Sequence, residues 1–503
     1  MSRTRKIIGA TSVAYLQQAA TLVVGLWLTP FLLRNVGQHD LGLWLVVGQL
    51  LGYLALVDLG ILAILPREIA YASAQPDVTS RIGGLLAQVR GIVRWQVALL
   101  SIACALFLVF MPAEWTALRW PLAGVFAVFV CSYPLRIPSA VLQGLQDLPF
   151  LAKLQIVGWA AGTAATVALV LWGFKLPALV TGWSLTLLLP ALAAYWRLHH
   201  AFSVDTGDGG QRVEGYFSRS VWVSAGQLGQ VFLNGSDVLV IGKLLGAAAV
   251  VPYACTAKLV TIFANYPQML VHSAQPALTE LRGSGAKARL VEVTQALAQG
   301  MLILSGALVT TVITANQFFV TWWVGRTQYA GLVLTLALTT MMLVRHWNVA
   351  MNYTLFCFGY ERQLSLVALA DGVVTLAGTA LLVPRIGLVG APVASVLGAV
   401  LVGLPLNVRA AAHEIGVGIG GFLRPCLSLV LAISAVVALA IAGHFWLDAS
   451  RLVNAVAFTV VMLALYAAAV MPFVLSGPLR PYAHTGWSML LARRTAAQQA
   501  SAA

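Results

Sequence analysis

Four ionisable residues stand inside long apolar stretches of the sequence, where a charge is costly. Lys258 lies well inside one such run, and the carboxylates Asp58, Asp237 and Asp371 lie in three others. An ionisable side chain near the centre of a membrane helix costs roughly 2.5–3.5 kcal/mol on insertion scales, so it faces protein or water. A buried carboxylate can bind a proton or a sodium ion, and a buried lysine can bind an anion. Each can equally hold an opposite charge in place, as a structural pair.

Further polar residues stand at predicted helix ends. Arg67, Arg136 and Arg345 suit a ring of anion ligands, because the guanidinium presents forked donors, although basic residues at helix ends often only satisfy membrane topology. His346 is a candidate titrating group or a hydrogen-bonded structural residue. Uncharged side chains that could line a hydrophilic cavity, or pack helices by hydrogen bonds, are Gln17, Gln18, Gln227 and Asn234.

No metal-ligand spacing accompanies these residues. The five cysteines fall in or beside apolar segments without paired spacing, as small core residues do. We therefore predict no metal, no cofactor and no catalytic residue.

The elements that position these residues are membrane helices. The chain has 503 residues, 60% of them hydrophobic and 9% charged, whereas soluble proteins carry about 25% charged residues. Long apolar runs predict an all-α, polytopic membrane protein of about fourteen transmembrane helices. The predicted runs are 9–33, 41–65, 94–112, 120–140, 153–174, 177–197, 220–245, 249–272, 293–315, 330–349, 363–383, 388–408, 425–445 and 452–475.

The formal net charge of +14 is explained by basic residues in the loops on one side of the membrane. Most Lys and Arg residues fall in loops of one parity, which places both termini in the cytoplasm by the positive-inside rule. No basic groove with interleaved aromatic residues is apparent, so nucleic-acid binding is excluded as a function.

The two halves of the chain repeat each other. The same spacing of a basic residue, a glycine and an aromatic residue occurs in both: Arg34-Gly37-Trp44 and Lys243-Gly246-Tyr253. This pattern predicts two six-helix lobes around a central cavity, followed by two more helices. The predicted parts are an N-terminal lobe (1–205), a cytoplasmic linker (206–219), a C-terminal lobe (220–410), and two additional transmembrane helices with a cytoplasmic tail (411–503).

Several stretches resemble a known family. VGQHDLGLW and LVDLGILAILPREIA in the first half, and SDVLVIGKLLGAAAVVPY and LLVPRIGLVGAPVASVLG in the second, are similar to the polysaccharide-type (Wzx-like) flippases of the MOP superfamily. The resemblance implies a MATE-like fold that translocates a polyprenyl-diphosphate-linked oligosaccharide by alternating access, for lipopolysaccharide or exopolysaccharide synthesis. The chain departs from the peptidoglycan-precursor flippases because its first helix carries Gln17 and Gln18 and no arginine.

The resemblance also assigns roles and a location. Lys258, the arginines and the amides would bind the diphosphate and the sugars. Asp58, Asp237, Asp371 and His346 would bind a coupling H+ or Na+. Implied partners are a polysaccharide polymerase and chain-length proteins at the bacterial inner membrane. Two alternatives stay open: a MATE-type multidrug cation antiporter, and a membrane glycan polymerase or ligase, which the lack of an acid–base set and of long outer loops disfavours.

Overall fold

A computed structural model describes residues 20–54, 61–72, 78–111, 119–201, 216–283, 286–446, 451–476 and 478–481. Within these ranges the regular elements are all helical. A helix satisfies all its backbone hydrogen bonds internally, which the interior of a bilayer demands. The all-α class is therefore confirmed.

The chain divides into two compact units, 1–231 with 245–251, and 232–244 with 252–503. The helices that begin in the first unit are α1 (Ala20–Asn35), α2 (Gln38–Leu54), α3 (Ile61–Ala72), α4 (Val78–Val109), α5 (Arg119–Ser132), α6 (Arg136–Gly144), α7 (Leu148–Leu171), α8 (Leu176–Ala201), α9 (Tyr216–Leu244) and α10 (Ala247–Thr256). The third predicted span, 94–112, begins earlier than the sequence predicted, because α4 runs without a break from Val78 to Val109.

The second unit is built around one long helix. Its elements are α11 (Lys258–Phe263), α12 (Tyr266–Gly283), α13 (Lys287–Val324), α14 (Leu332–Cys357), α15 (Glu361–Ile386), α16 (Gly390–Gly398), a π-helical segment (Ala399–Gly403), α17 (Leu404–Ile415), α18 (Ile419–Trp446) and α19 (Leu452–Ser476). The 38-residue α13 packs against α12, α14, α18 and α19, and most of it is buried. The hydroxyls of its buried Thr310 and Thr314 donate to carbonyl oxygens of the same helix, which satisfies them inside an apolar core.

Eight helical stretches of the described ranges are long and apolar enough to cross a membrane, or ten if each of two bent pairs counts as one span. One stretch, Glu361–Ile415, has 55 residues, about twice what a bilayer core requires. It turns back on itself, since α15 packs along α16 after the left-handed Gly387 (φ +65°). The total of fourteen helices and the predicted domain boundaries stay predictions. Residues 206–215 of the predicted linker lie outside the described ranges.

The repeated glycines have a common backbone role. Gly37 stands between α1 and α2 with φ +98°, and Gly246 between α9 and α10 with φ +87°. L side chains rarely adopt this left-handed conformation, so glycine is needed at both turns. The repeat found in the sequence thus marks two equivalent helix connections.

Close packing of α7 on α8 depends on glycines without side chains. A Cβ on Gly162 would lie 1.9 Å from Thr186 Oγ1 and 2.4 Å from the Gly182 carbonyl oxygen, and one on Gly158 would lie 2.4 Å from Pro190 Cγ. Small residues let membrane helices approach closely, because packing rather than the hydrophobic effect joins them in lipid.

We predict that Gly162→Ala destabilises the protein by about 1–3 kcal/mol, because α7 and α8 must separate to admit the methyl group. Thermal unfolding in detergent measures the change. The matched control is Gly124→Ala on α5, whose Cβ would make an ordinary contact of 3.7 Å with Val180. Equal unfolding temperatures for the two variants would contradict this interpretation.

Candidate functional site

The second unit contains a buried ion pair between α14 and α15. Arg345 NH1 and NH2 donate to Asp371 Oδ2 and Oδ1 at 2.5 and 3.1 Å. The same guanidinium donates to Ser395 Oγ at 3.1 Å and to the Ser395 carbonyl oxygen at 2.7 Å, both on α16, and to Thr375 Oγ1 at 3.1 Å. Asp371 is 1% exposed. Five oxygens on two helices thus surround one cation supplied by a third.

Two glycines make room for this pair. A Cβ on Gly398 would lie 2.4 Å from both Asp371 Oδ1 and Thr375 Oγ1, and one on Gly403 would lie 2.9 Å from Asp371 Oδ2. Gly403 ends the π-helical segment, where the helix carries a wider turn. The wide turn and the absent side chains together admit the charged groups between the helices.

Amides extend the polar interior along α14. Asn407 Nδ2 of α17 donates to Asn348 Oδ1 at 2.8 Å and to Asn352 Oδ1 at 2.6 Å. A Cβ on Gly403 would lie 2.7 Å from Asn348 Nδ2 as well as close to Asp371, so the amides adjoin the ion pair. Polar side chains on four helices, α14 to α17, therefore lie in one cluster.

This geometry corrects the placement of Arg345 made from the sequence. The predicted run ended at 349, which set Arg345 in the last turns of its helix, whereas α14 continues to Cys357 and Arg345 is its fourteenth residue of 26. Both carboxylate oxygens of Asp371 accept hydrogen bonds from this guanidinium. Such a pair fastens helices together, since removing one partner of a buried pair leaves an uncompensated charge.

Lys258 stands at a break in a helix. It is the first residue of α11, and only Ala257 separates it from the end of α10. The helix axis bends by 54° between Ala247–Thr256 and Lys258–Gln268. Its Nζ lies 6.0 Å from the ring centroid of Trp323 on α13. Among the side chains that the structure describes, no carboxylate forms an ion pair with Lys258. Its charge is therefore available to an anion.

Asn316 of α13 secures the break beside Lys258. The last carbonyls of a helix lack intrahelical donors, and Asn316 Nδ2 donates to the carbonyl oxygen of Thr256 at 3.0 Å. The Thr256 hydroxyl accepts the backbone N–H of Ala330 at 2.9 Å. Asn316 Nδ2 also donates to Thr335 Oγ1 at 3.1 Å. Thr256, Asn316 and Thr335 are all fully buried, so the end of α10 is held by α13, α14 and the turn before α14.

His346 secures a second break in the same span. Its Nε2 donates to the carbonyl oxygen of Ala264, which follows α11, at 3.0 Å, and its Nδ1 accepts the hydroxyl of Ser305 at 2.8 Å. Both ring nitrogens are thereby engaged, and the ring is 4% exposed. The geometry is that of a hydrogen-bonded structural histidine.

Asp237 of α9 has a different environment from Asp371. Tyr253 OH donates to its Oδ2 at 2.6 Å, and the backbone N–H of Val238 donates to its Oδ1 at 2.8 Å. No basic side chain of the described residues forms an ion pair with it. Of the two embedded carboxylates whose side chains the structure describes, Asp371 has a cationic partner and Asp237 has none.

Two of the remaining predicted residues, Arg136 and Gln227, have side chains that the structure describes. Arg136 begins α6 after a 42° bend, with its guanidinium 5.2 Å from the Phe129 ring and 5.6 Å from the Tyr133 ring. Gln227 is exposed on α9. Gln17, Gln18 and Asp58 lie outside the described residues. Arg67 and Asn234 lie in α3 and α9, and the structure does not describe their side chains.

Comparisons with known proteins place the fold among transporters. The structure of the lipid II flippase MurJ in an inward closed conformation matches with a TM-score of 0.63 and 8% identity, over 92% of this chain and 97% of that one. An inward-facing MATE family multidrug resistance transporter of the MOP superfamily matches with a TM-score of 0.56 and 12% identity, over 81% and 98%. Identities this low show the fold alone, and they confirm a MATE-like, multi-pass membrane protein.

The sequence adds a family match. A family model described as "Polysaccharide biosynthesis protein" matches residues 118–333, a segment that includes Arg136, Asp237 and Lys258. No curated protein matches the chain. The chain is thus similar to a polysaccharide biosynthesis family over residues 118–333, and its fold resembles that of MATE and MurJ transporters.

We predict that Arg345→Met lowers stability by about 3–5 kcal/mol, because Asp371 then stays buried without its counterion. The double variant Arg345→Met/Asp371→Leu should recover most of that loss, since it leaves no unpaired charge. Thermal unfolding in detergent compares the two. An unchanged unfolding temperature for Arg345→Met would rule out a fastening role for the pair.

We predict that Asn316→Leu displaces Lys258, because the Thr256 carbonyl loses its donor at a cost of about 1–3 kcal/mol. The measurement is the amine-labelling rate of Lys258 in membranes, determined by mass spectrometry relative to the exposed Lys243. Thr310→Val is the control, since that buried hydroxyl on the same helix donates only to its own helix at Gly306. Identical Lys258 labelling in both variants would show that Asn316 does not position the lysine.

Proposed function

We propose that this protein is a flippase for a polyprenyl-diphosphate-linked oligosaccharide in the synthesis of a surface polysaccharide, lipopolysaccharide or exopolysaccharide. It would move the lipid from the cytoplasmic to the outer leaflet of the bacterial inner membrane by alternating access, with both termini in the cytoplasm. A polysaccharide polymerase and chain-length proteins would use the product.

The observation that carries this proposal is a lysine without a carboxylate partner at a helix break. Arg345 has its counterion in Asp371, but Lys258 has none among the described side chains. Keeping an unpaired ammonium within a membrane span is costly unless a ligand makes use of it. A diphosphate supplies the opposite charge and several acceptors. Lys258 also lies inside the segment that matches the polysaccharide biosynthesis model.

The coupling ion would bind at Asp237. A carboxylate held by one hydroxyl and one amide keeps acceptor capacity for H+ or Na+. Asp371 and His346 would act as structural residues instead, because their polar atoms are already engaged. Asp58 stays a candidate of the same kind as Asp237.

One observation favours a second function. The fold is also that of a MATE family transporter, so export of organic cations is the rival. That substrate needs carboxylates facing it, and an unpaired lysine would repel it. The same experiment can separate the two functions.

We predict that the wild-type protein restores surface polysaccharide in a bacterium lacking its native flippase, tested across strains with related repeat units. Lys258→Gln should reduce the restored polymer about tenfold or more, because a hydrogen bond to a charged group contributes about 1.5–3 kcal/mol. Lys258→Arg should keep part of the activity.

Lys243→Gln is the matched control, since it removes an exposed lysine from the same unit. Membrane levels of each variant are measured by immunoblot. Full activity of Lys258→Gln would exclude the lysine from the mechanism. Resistance to cationic drugs without restored polysaccharide would assign the protein to the multidrug class.

A further inference from the structure

The first unit has a groove of about 410 Å³ between α4, α6 and α8. Its polar lining includes Arg90 and Arg94 of α4 and Tyr195 and His199 of α8. The remaining walls are apolar, with Val93 and Ile137 among them, and no acidic residue lines the groove among the described residues. Arg90 and Arg94 thus lie next to the apolar residues of the same groove.

The two arginines are placed for a shared ligand. Residues four apart on a helix are neighbours on its surface, so Arg90 and Arg94 bring two like charges together at some cost. Opposite them, His199 Nδ1 donates to the Tyr195 carbonyl oxygen at 3.0 Å, and the two rings lie 4.2 Å apart between centroids. The groove therefore concentrates positive charge with fixed polar side chains facing it.

The groove lies at the level of the lipid headgroups. Arg94 and Arg90 precede Val109, the end of α4, by 15 and 19 residues, or about 22 and 28 Å at 1.5 Å per residue. The hydrocarbon core is about 30 Å thick, so a helix whose far end meets one interface places these arginines at or near the other.

Tryptophan exposure agrees with this depth. Trp95 on α4 is 80% exposed and Trp196 on α8 is 60% exposed, beside Arg94 and Tyr195 respectively. Tryptophan is enriched at membrane interfaces. Below Trp95, the exposed residues Leu99, Ile102 and Leu106 continue down α4 at helical spacing, as a lipid-facing surface does.

We propose that this groove binds one anionic phospholipid of the surrounding bilayer. Its phosphodiester would lie between Arg90 and Arg94, whose forked donors match phosphate oxygens. Tyr195 and His199 would contact the headgroup, and the first acyl methylenes would cover Val93 and Ile137. Basic pockets between membrane helices bind anionic headgroups through the same combination of charge and apolar surface.

The test uses the full-length protein purified in detergent. Native mass spectrometry counts retained lipids, and thermal unfolding is followed with added phosphatidylglycerol, phosphatidylcholine or inorganic phosphate. We expect one phosphatidylglycerol to be retained at least tenfold better than phosphatidylcholine and to raise the unfolding temperature. Arg90→Gln/Arg94→Gln should lose both effects.

The control Lys153→Gln/Lys175→Gln makes the same change in net charge at exposed positions outside the groove, and it should keep both effects. If the double groove variant does not fold, Arg94→Gln alone replaces it, because Arg94 is exposed. Equal retention by groove and control variants, or equal retention of the two lipids, would overturn the proposal. An equal thermal shift with inorganic phosphate alone would also overturn it, in favour of a soluble-phosphate site.

Discussion

The second unit depends on the pairing of Arg345 with Asp371. Neither charge is stable alone inside a membrane span, and together they fasten α14 to α15 and, through Ser395, to α16. The surrounding sequence follows from this requirement. Gly398 and Gly403 have no side chain because a Cβ would occupy the space of the carboxylate, and the widened turn at Ala399–Gly403 adds room beside it.

Where a membrane span is broken, the backbone carbonyls at the break also need hydrogen-bond partners. The carbonyl oxygens of Thr256 and Ala264 accept hydrogen bonds from Asn316 and His346 on neighbouring helices. A buried carbonyl without a donor is costly in a bilayer, so these side chains make the broken helix tolerable. Lys258 stands at the first of these breaks.

The sequence could predict the fold class and the burial of Asp371, but not the partner of that charge. The hydropathy runs overlap most of the described helices, and the repeated Gly37 and Gly246 both stand at turns with positive φ. The predicted run that corresponds to α14 ended at 349, because Asn348 and Asn352 lower the local hydropathy. Those amides are internal, bonded to Asn407, so the helix continues.

The pairing of Arg345 with Asp371 could not be predicted from the sequence. Arg345 and Asp371 lie 26 positions apart, and no local pattern joins them. Arg345 was therefore predicted as a substrate ligand or a topological residue, and Asp371 as an ion ligand or a structural partner. In the sequence, Asn316 and Thr256 look like ordinary polar residues of apolar helices. Their hydrogen bond matters because the bend at Ala257 leaves the Thr256 carbonyl without a donor from its own helix. Pairing across helices is a property of tertiary structure.

We propose that the paired charges of Arg345 and Asp371 are structural and that the charge of Lys258 is functional. The most direct measurement is translocation of a polyprenyl-diphosphate-linked oligosaccharide in proteoliposomes, read by access of an impermeant glycosidase to the glycan. We expect transport by the wild type and by Arg345→Met/Asp371→Leu, and its loss in Lys258→Gln. Loss in the double variant with transport retained in Lys258→Gln would contradict the account.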